Sequence, residues 1–244
     1  MHLPNAAQLI GAWEQGTARH SVDRALTLLA AAYPEKTLAE LAALPIGRRD
    51  AVLLEFREAL FGPALDCYAE CPRCQARLEV KANVEEILER AAGAAGPTPI
   101  ELTCGDLHLR FRVPTSADLD ALSDCRDVAS ARRLLLEKCV LEATRGDDSL
   151  DLGEISAQAI EELSNKLGES ESCADISFAL ACAACGHSWQ LAFDIVSFLW
   201  SEISRLAKRY LYEVHTLAWA YGWREADILA MSPARRQFYL DKVG

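Results

Sequence analysis

Apolar positions in this chain recur with a helical period toward both ends and alternate in short runs between them. After His20-Ser21-Val22-Asp23, residues Ala25, Leu28, Leu29 and Ala32 form one stripe, and Pro34 stops it. Thr37-Leu38-Ala39-Glu40 has capping-box spacing ahead of a short helix. From Ile46 to Phe61, residues Val52, Leu53, Phe56, Ala59 and Leu60 share a face, and Gly62-Pro63 ends the pattern. The longest stripe runs from Asp194 to about Tyr221. Val196, Leu199, Ile203, Leu206, Tyr210, Val214, Leu217 and Tyr221 follow one another at intervals of three and four, and Gly222 is a natural stop. Two short helices are predicted beyond it, the second opening at Ser232-Pro233 with serine as cap and proline at the first helical position.

The middle of the chain carries the alternating runs. Leu78, Val80 and Ala82 alternate with Arg77, Glu79 and Lys81, which predicts a strand leading into a short helix over 84–92. Gly93 to Pro99, rich in Ala, Gly and Pro, reads as a mobile linker. Ile100 to Val113 reads as a hairpin turning at Gly105-Asp106. Helices are predicted from Thr115 through about Leu122, from Val128 to Thr144 and from Ser156 to Leu167, with a loop at Gly146-Asp147-Asp148-Ser149. Alternation returns at Ile176, Phe178 and Leu180, and again at Trp189, Leu191 and Phe193.

Cysteine spacing gives these strands a chemical meaning. Cys71-Pro-Arg-Cys74 and Cys182-Ala-Ala-Cys185 each sit at or beside a hairpin tip, and this duplicated hairpin is the one internal repeat visible. A two-residue gap lets both sulfurs of a pair reach one ion at about 2.3 Å, and two pairs complete a tetrahedral zinc shell. Two unrelated reduced pairs, or a redox disulfide, are the competing readings; the latter favours a strand-to-helix junction, whereas both pairs here lie among strands. Cys67 and His187 stand near the pairs as alternative ligands, but four sulfurs already fill the shell. The long separation of the pairs means that zinc would close a large loop.

Composition narrows the function. The chain has 244 residues and is 51% hydrophobic, enough to bury a core. Nine cysteines, an odd number, with no basic start and apolar run in the first fifteen residues, point to a reducing compartment and no secretory leader. No apolar run is long enough to span a membrane. Net charge is −11, and Glu142 to Asp175 holds ten acids against Arg145 and Lys166. An acidic chain is a poor ligand for phosphate backbones, so nucleic-acid binding is not expected. Asp147, Asp148 and Asp151 do not match a calcium loop, and His215 lies one position off the apolar stripe. No phosphate-cradling glycine loop, nucleophile elbow or His-Glu-x-x-His occurs, and the chain is not expected to be an enzyme.

The chain as a whole resembles the baseplate hub assembly chaperone family of T-even phages, found also in bacterial contractile injection systems. The resemblance rests on Leu44-Pro-Ile-Gly-Arg-Arg-Asp50, Leu60-Phe-Gly-Pro63, Cys71-Pro-Arg-Cys74 and Val113-Pro-Thr-Ser-Ala-Asp-Leu119. It continues through Cys185-Gly-His-Ser-Trp189, Phe193-Asp-Ile195, Phe198-Leu-Trp-Ser-Glu-Ile203 and Glu213-Val-His-Thr-Leu-Ala-Trp-Ala-Tyr-Gly-Trp223. Ile228-Leu-Ala-Met-Ser-Pro233 and Arg235-Arg236 complete it. It implies a non-enzymatic, cytoplasmic assembly factor whose partners are baseplate, hub or spike proteins of a phage tail-like particle. The alternatives are a permanent structural subunit within the assembled particle and a zinc-ribbon nucleic-acid or regulatory module.

The expected fold is α+β: a split zinc-ribbon antiparallel sheet flanked by N-terminal helices and a long C-terminal amphipathic helix with short terminal helices. The expected organisation is an N-terminal helical region over 1–66, a split ribbon with an inserted hairpin and helices over 67–193, and a C-terminal helical region over 194–244, integrated into one domain. One structural zinc on Cys71, Cys74, Cys182 and Cys185 is expected. The candidate partner surface is Trp219, Tyr221, Trp223, Arg235, Arg236 and Tyr239, because aromatics and arginines dominate interface hot spots.

Overall fold

A computed structural model describes residues 1–92, 99–122, 125–146, 148–170 and 173–243. The linker expected over 93–99 falls almost wholly outside the described residues, as does Asp147. In chain order the elements begin with α1 (Ala6–Gly16), α2 (Ser21–Ala32), α3 (Leu38–Ala42) and α4 (Ile46–Phe61). The hairpin β1 (Ala64–Glu70) and β2 (Arg77–Asn83) leads into α5 (Val84–Ala92). Next come β3 (Ile100–Cys104), β4 (Leu107–Phe111), α6 (Ser116–Asp120), α7 (Val128–Cys139), β5 (Val140–Arg145), β6 (Asp148–Ser149) and α8 (Ala157–Ser170). The hairpin β7 (Ile176–Ala181) and β8 (Ser188–Phe193) precedes α9 (Ile195–Tyr221), α10 (Glu225–Ala230) and α11 (Pro233–Leu240). Helices and several small antiparallel sheets together make the α+β class.

The chain divides into two compact units, residues 1–37 with 195–244, and residues 38–194. The first is helical. Asn5 and Gln8 form a capping box at the start of α1, with mutual bonds of 3.0 and 2.9 Å. α1, α2 and α9 pack together, and Leu9, Ala25, Leu28, Leu29, Ile203 and Ala207 are buried on them. Gly16 abuts the indole of Trp200 so closely that a Cβ there has no room. Arg24 lies 5.0 Å from the centroid of that indole and donates to the Gly16 and Thr17 carbonyls, satisfying the C-terminal end of α1. Farther along, Val214 and Leu217 of α9 meet Ile228 of α10, with Trp223, Tyr239 and Leu240 around them. Ser232 caps α11 and proline occupies its first turn, as the sequence predicts.

The second unit is built around a four-stranded sheet in the order β3-β4-β5-β6. Register places Leu102, Leu109 and Ala143 in one row, buried with Leu136 of α7 and Ala159 and Leu163 of α8. The adjacent row, Glu101, Arg110 and Glu142, lies on the opposite face of the pleat and forms ion pairs of 3.8 and 3.1 Å. Two expectations fail here. The helix expected through Thr144 ends at Cys139, and Val140–Arg145 becomes a strand; the expected loop at 146–149 includes the short strand β6. The open edge of β4 supplies hydrogen-bond partners for Val140 onward, and that pairing overrides a helix-compatible local pattern.

A polar corner around Asp118 ties several elements of the unit together. Arg112 grips Asp118 in a bidentate pair of 2.6 and 2.8 Å and donates to the Lys138 carbonyl. Asp118 also accepts from the amide and hydroxyl of Thr115. Together the arginine and these donors hold its carboxyl at about 2, below the usual range. Arg49 of α4 reaches Ser116, and the Ile46 amide donates to the Pro114 carbonyl, so the start of α4 is anchored to the same corner.

Candidate metal centre

The hairpins β1–β2 and β7–β8 are close copies. Each is a two-stranded antiparallel pair joined by a six-residue turn that begins with Cys-x-x-Cys. The Cys71 amide donates to the Ala76 carbonyl at 2.9 Å, and the Gln75 amide donates back to the Cys71 carbonyl at 2.8 Å. The Cys182 amide donates to the His187 carbonyl and the Gly186 amide to the Cys182 carbonyl, both at 2.8 Å. The residue after the second cysteine has positive φ in both turns, 61° at Gln75 and 70° at Gly186. Only one copy uses glycine for this left-handed position, where a side chain is strained. Because the turns fold back in this way, the two sulfurs of each pair converge.

The two tips also meet each other. The Sγ atoms of Cys71, Cys74, Cys182 and Cys185 all lie within 4.8 Å of one another. Across the tips, Cys71 stands 3.7 Å from Cys185 and Cys74 stands 3.6 Å from Cys182. A tetrahedron with metal–sulfur bonds of about 2.3 Å has edges of roughly 3.8 Å, so these separations fit one ion of zinc size. The donor set is four sulfurs, which suits a soft or borderline cation and leaves no coordination position for water.

The electrostatics of the cluster point the same way. For Cys71, burial is the largest influence and raises the thiol, but the amides of Cys74 and Arg73 and the neighbouring sulfurs bring it down to about 7. For Cys185 the His187 amide lowers the thiol, yet burial and the three nearby sulfurs push it up to about 12. Negative charge on one sulfur thus opposes charge on the next. A divalent cation at the centre removes that opposition, because each ligand must be deprotonated to bind.

Cys67 lies in β1 opposite Val80, outside this group, and the His187 ring stacks on Trp189 with centroids 5.9 Å apart. Among the described residues no other cluster of Cys, His, Asp or Glu has metal-binding geometry.

The residues expected at a partner surface separate into two kinds. Tyr221, Trp223 and Tyr239 pack on one another, with centroid distances of 4.5, 4.8 and 5.7 Å. Arg236 is 3% exposed and does not face outward: it donates to Glu213 at 2.8 Å and to the Met231 carbonyl at 2.6 Å. Burial demands a partner for its charge, and Glu213 supplies one. Arg235 is exposed beside the Tyr239 ring, and Trp219 is 86% exposed. The sequence reading missed Tyr212, 70% exposed on the same helix as Trp219; the seven-residue spacing between them was the available signal.

No helix among the described residues is long and apolar enough to cross a membrane. A family model described as T4 bacteriophage base plate protein matches residues 6–200, most of the chain. No curated protein and no solved structure matches it.

Proposed function

The chain belongs to the T4 bacteriophage base plate protein family, and we propose that it is a non-enzymatic, zinc-binding assembly factor for the base plate or hub of a contractile, tail-like injection system. The match over residues 6–200 carries this reading, since it covers both cysteine hairpins and reaches into α9. The resemblance of the remaining tail, from Glu213 to Arg236, to the hub assembly chaperones narrows the role from base plate protein to assembly factor. The chain works in the cytoplasm, where its partners are synthesised, by binding base plate, hub or spike subunits.

Zinc in this reading is structural. It joins β1–β2 to β7–β8 as the two halves of a zinc ribbon, and the four-sulfur shell excludes substrate from the metal. A partner surface on the C-terminal helices, including Arg235 beside the Tyr239 ring, completes the reading.

The test is deletion of the gene from a producing strain, followed by purification of particles. An assembly factor gives few or no finished base plates in the deletion and is missing from wild-type particles. Normal base plates in the deletion would overturn the reading. Retention in wild-type particles at fixed stoichiometry would replace it with that of a permanent subunit.

A further inference from the structure

The outward side of α9 carries a pattern that packing does not explain. Ile203, Ala207, Val214 and Leu217 face inward and are buried. On the opposite side of the helix stand Arg205, Tyr212 and Trp219, all exposed and spaced by seven residues. At 100° per residue, seven residues bring the side chain back to within about 20° of the same line. Tyr212 is 70% exposed and Trp219 is 86% exposed, while Lys208 and His215 flank the row. Among the described residues, Arg205 and Lys208 have no ion-pair partner. Neighbouring Arg209 differs, pairing with Glu213 at 3.4 Å.

This row is self-complementary. Arg205 and Trp219 lie equally far from Tyr212, about 10.5 Å along the axis in either direction. A two-fold axis through Tyr212 therefore sets two such helices antiparallel, with ring on ring at the centre. Each guanidinium then lies over the indole of the other copy. That satisfies the reciprocity of an isologous dimer, in which residue i meets j and j meets i. We propose that the outer face of α9 is a self-association surface, on which two copies of this chain meet antiparallel with Tyr212 against Tyr212 and Arg205 of each copy against Trp219 of the other.

The area and charge suit a weak dimer. Four aromatic side chains burying roughly 150–250 Å² each supply about 600–1,000 Å². With the apolar stems of Arg205 and Lys208, this approaches the roughly 1,200 Å² at which specific interfaces begin. Copies of net charge −11 repel, but the excess acid lies elsewhere. Residues 1–37 and 195–244 hold ten bases against eight acids, whereas residues 38–194 hold fifteen against twenty-eight. The proposal rests on the geometry of α9 and stands whether or not the base plate reading does.

Sedimentation velocity of the full, zinc-loaded chain tests it, at about 0.15 M salt to screen the net charge and over a hundredfold concentration range. The expected result is a monomer–dimer equilibrium with Kd in the micromolar range. Trp219→Ala should raise Kd at least about tenfold and Trp219→Phe much less, since a ring remains. Arg205→Ala should raise it several-fold, and the double variant should be no weaker than Trp219→Ala alone, because the two act on one contact. Both positions of change are exposed, and unchanged far-ultraviolet circular dichroism and zinc content verify folding. A chain that stays monomeric throughout overturns the proposal and reserves the face for a different protein. A Trp219→Ala variant that dimerises like the wild type, or penalties from the two sites that simply add, would overturn it equally.

Discussion

A 27-residue helix, α9, gives the unit of residues 1–37 and 195–244 a continuous apolar stripe on which α1, α2, α10 and α11 pack. Among the described residues, the unit of residues 38–194 has its own core between the four-stranded sheet, α7 and α8 and a 16-residue helix, α4, but no helix as long as α9. Among the described residues, its largest sheet has four strands, one of them two residues long, and its other two sheets are two-stranded hairpins. A two-stranded hairpin is marginal in water, since it buries too little apolar surface to offset the ordering of its backbone. Side chains suffice in the first case. In the second, two hairpins distant in sequence place four sulfurs at the spacing of one metal ion. A metal ion held there would cross-link the two hairpins, whereas α9 is ordered by side-chain packing, so the two units should fail under different insults.

The largest effect should come from breaking the sulfur cluster. Metal binding at such sites contributes about 10–16 kcal/mol to folding, so Cys182→Ser should abolish stoichiometric zinc. Hydrogen exchange should then quicken in β1–β2 and β7–β8 while α9 keeps its protection. Equal loss of protection in α9 would erase the distinction between the units.

The converse experiment is Ile203→Ala. This fully buried residue of α9 should lose about 2–5 kcal/mol in denaturant unfolding, the usual range for such a cavity, while zinc content stays at the wild-type level. Loss of zinc in this variant would show that the helical unit governs the metal site.

A smaller effect is expected at the polar corner. Asp118→Asn removes the charge that Arg112 grips and should cost about 1.5–3 kcal/mol at neutral pH, as for hydrogen bonds to charged groups. The carboxyl is held at about 2 in the folded chain, against about 3.9 when unfolded. Its contribution is therefore complete above the unfolded value and fades as pH falls from about 4 through 2. The wild-type-minus-variant stability difference should stay level from pH 7 to 5; a difference that declines within that interval would contradict the pairing.

The smallest effect compares the two turns. Gln75→Gly should gain about 0.5–1 kcal/mol by removing a side chain from a left-handed position, and Gly186→Gln should lose a similar amount. Thermal melts of the zinc-loaded protein would distinguish them, and equal responses would deny that the turns are copies.

How much of this the sequence discloses depends on how local the cause is. The Cys-x-x-Cys spacing, the alternating runs beside it, the stop at Gly62 and the cap at Ser232 are all decided within a few residues, and they are readable. α9 is readable to within a residue at its start, because its stripe persists over many turns. The end of α7 is not, since Leu141 continues a plausible helical face and only the free edge of β4 makes Val140–Arg145 a strand. Arg236 looks like a surface residue until Glu213, 23 positions earlier, is placed beside it. Tyr212 and Trp219 become a shared outward face only once packing by α1 and α2 has chosen the inward one. The left-handed turn at Gln75 is masked by a residue that rarely adopts it, though the matching glycine at 186 was a clue.

The most direct measurement is metal analysis of the purified full chain, by elemental quantification and native mass spectrometry, with thiol labelling under native conditions. The account predicts one zinc per chain and protection of Cys71, Cys74, Cys182 and Cys185 that chelation removes. Well under one zinc per chain, with those four thiols freely labelled in the folded protein, would contradict it.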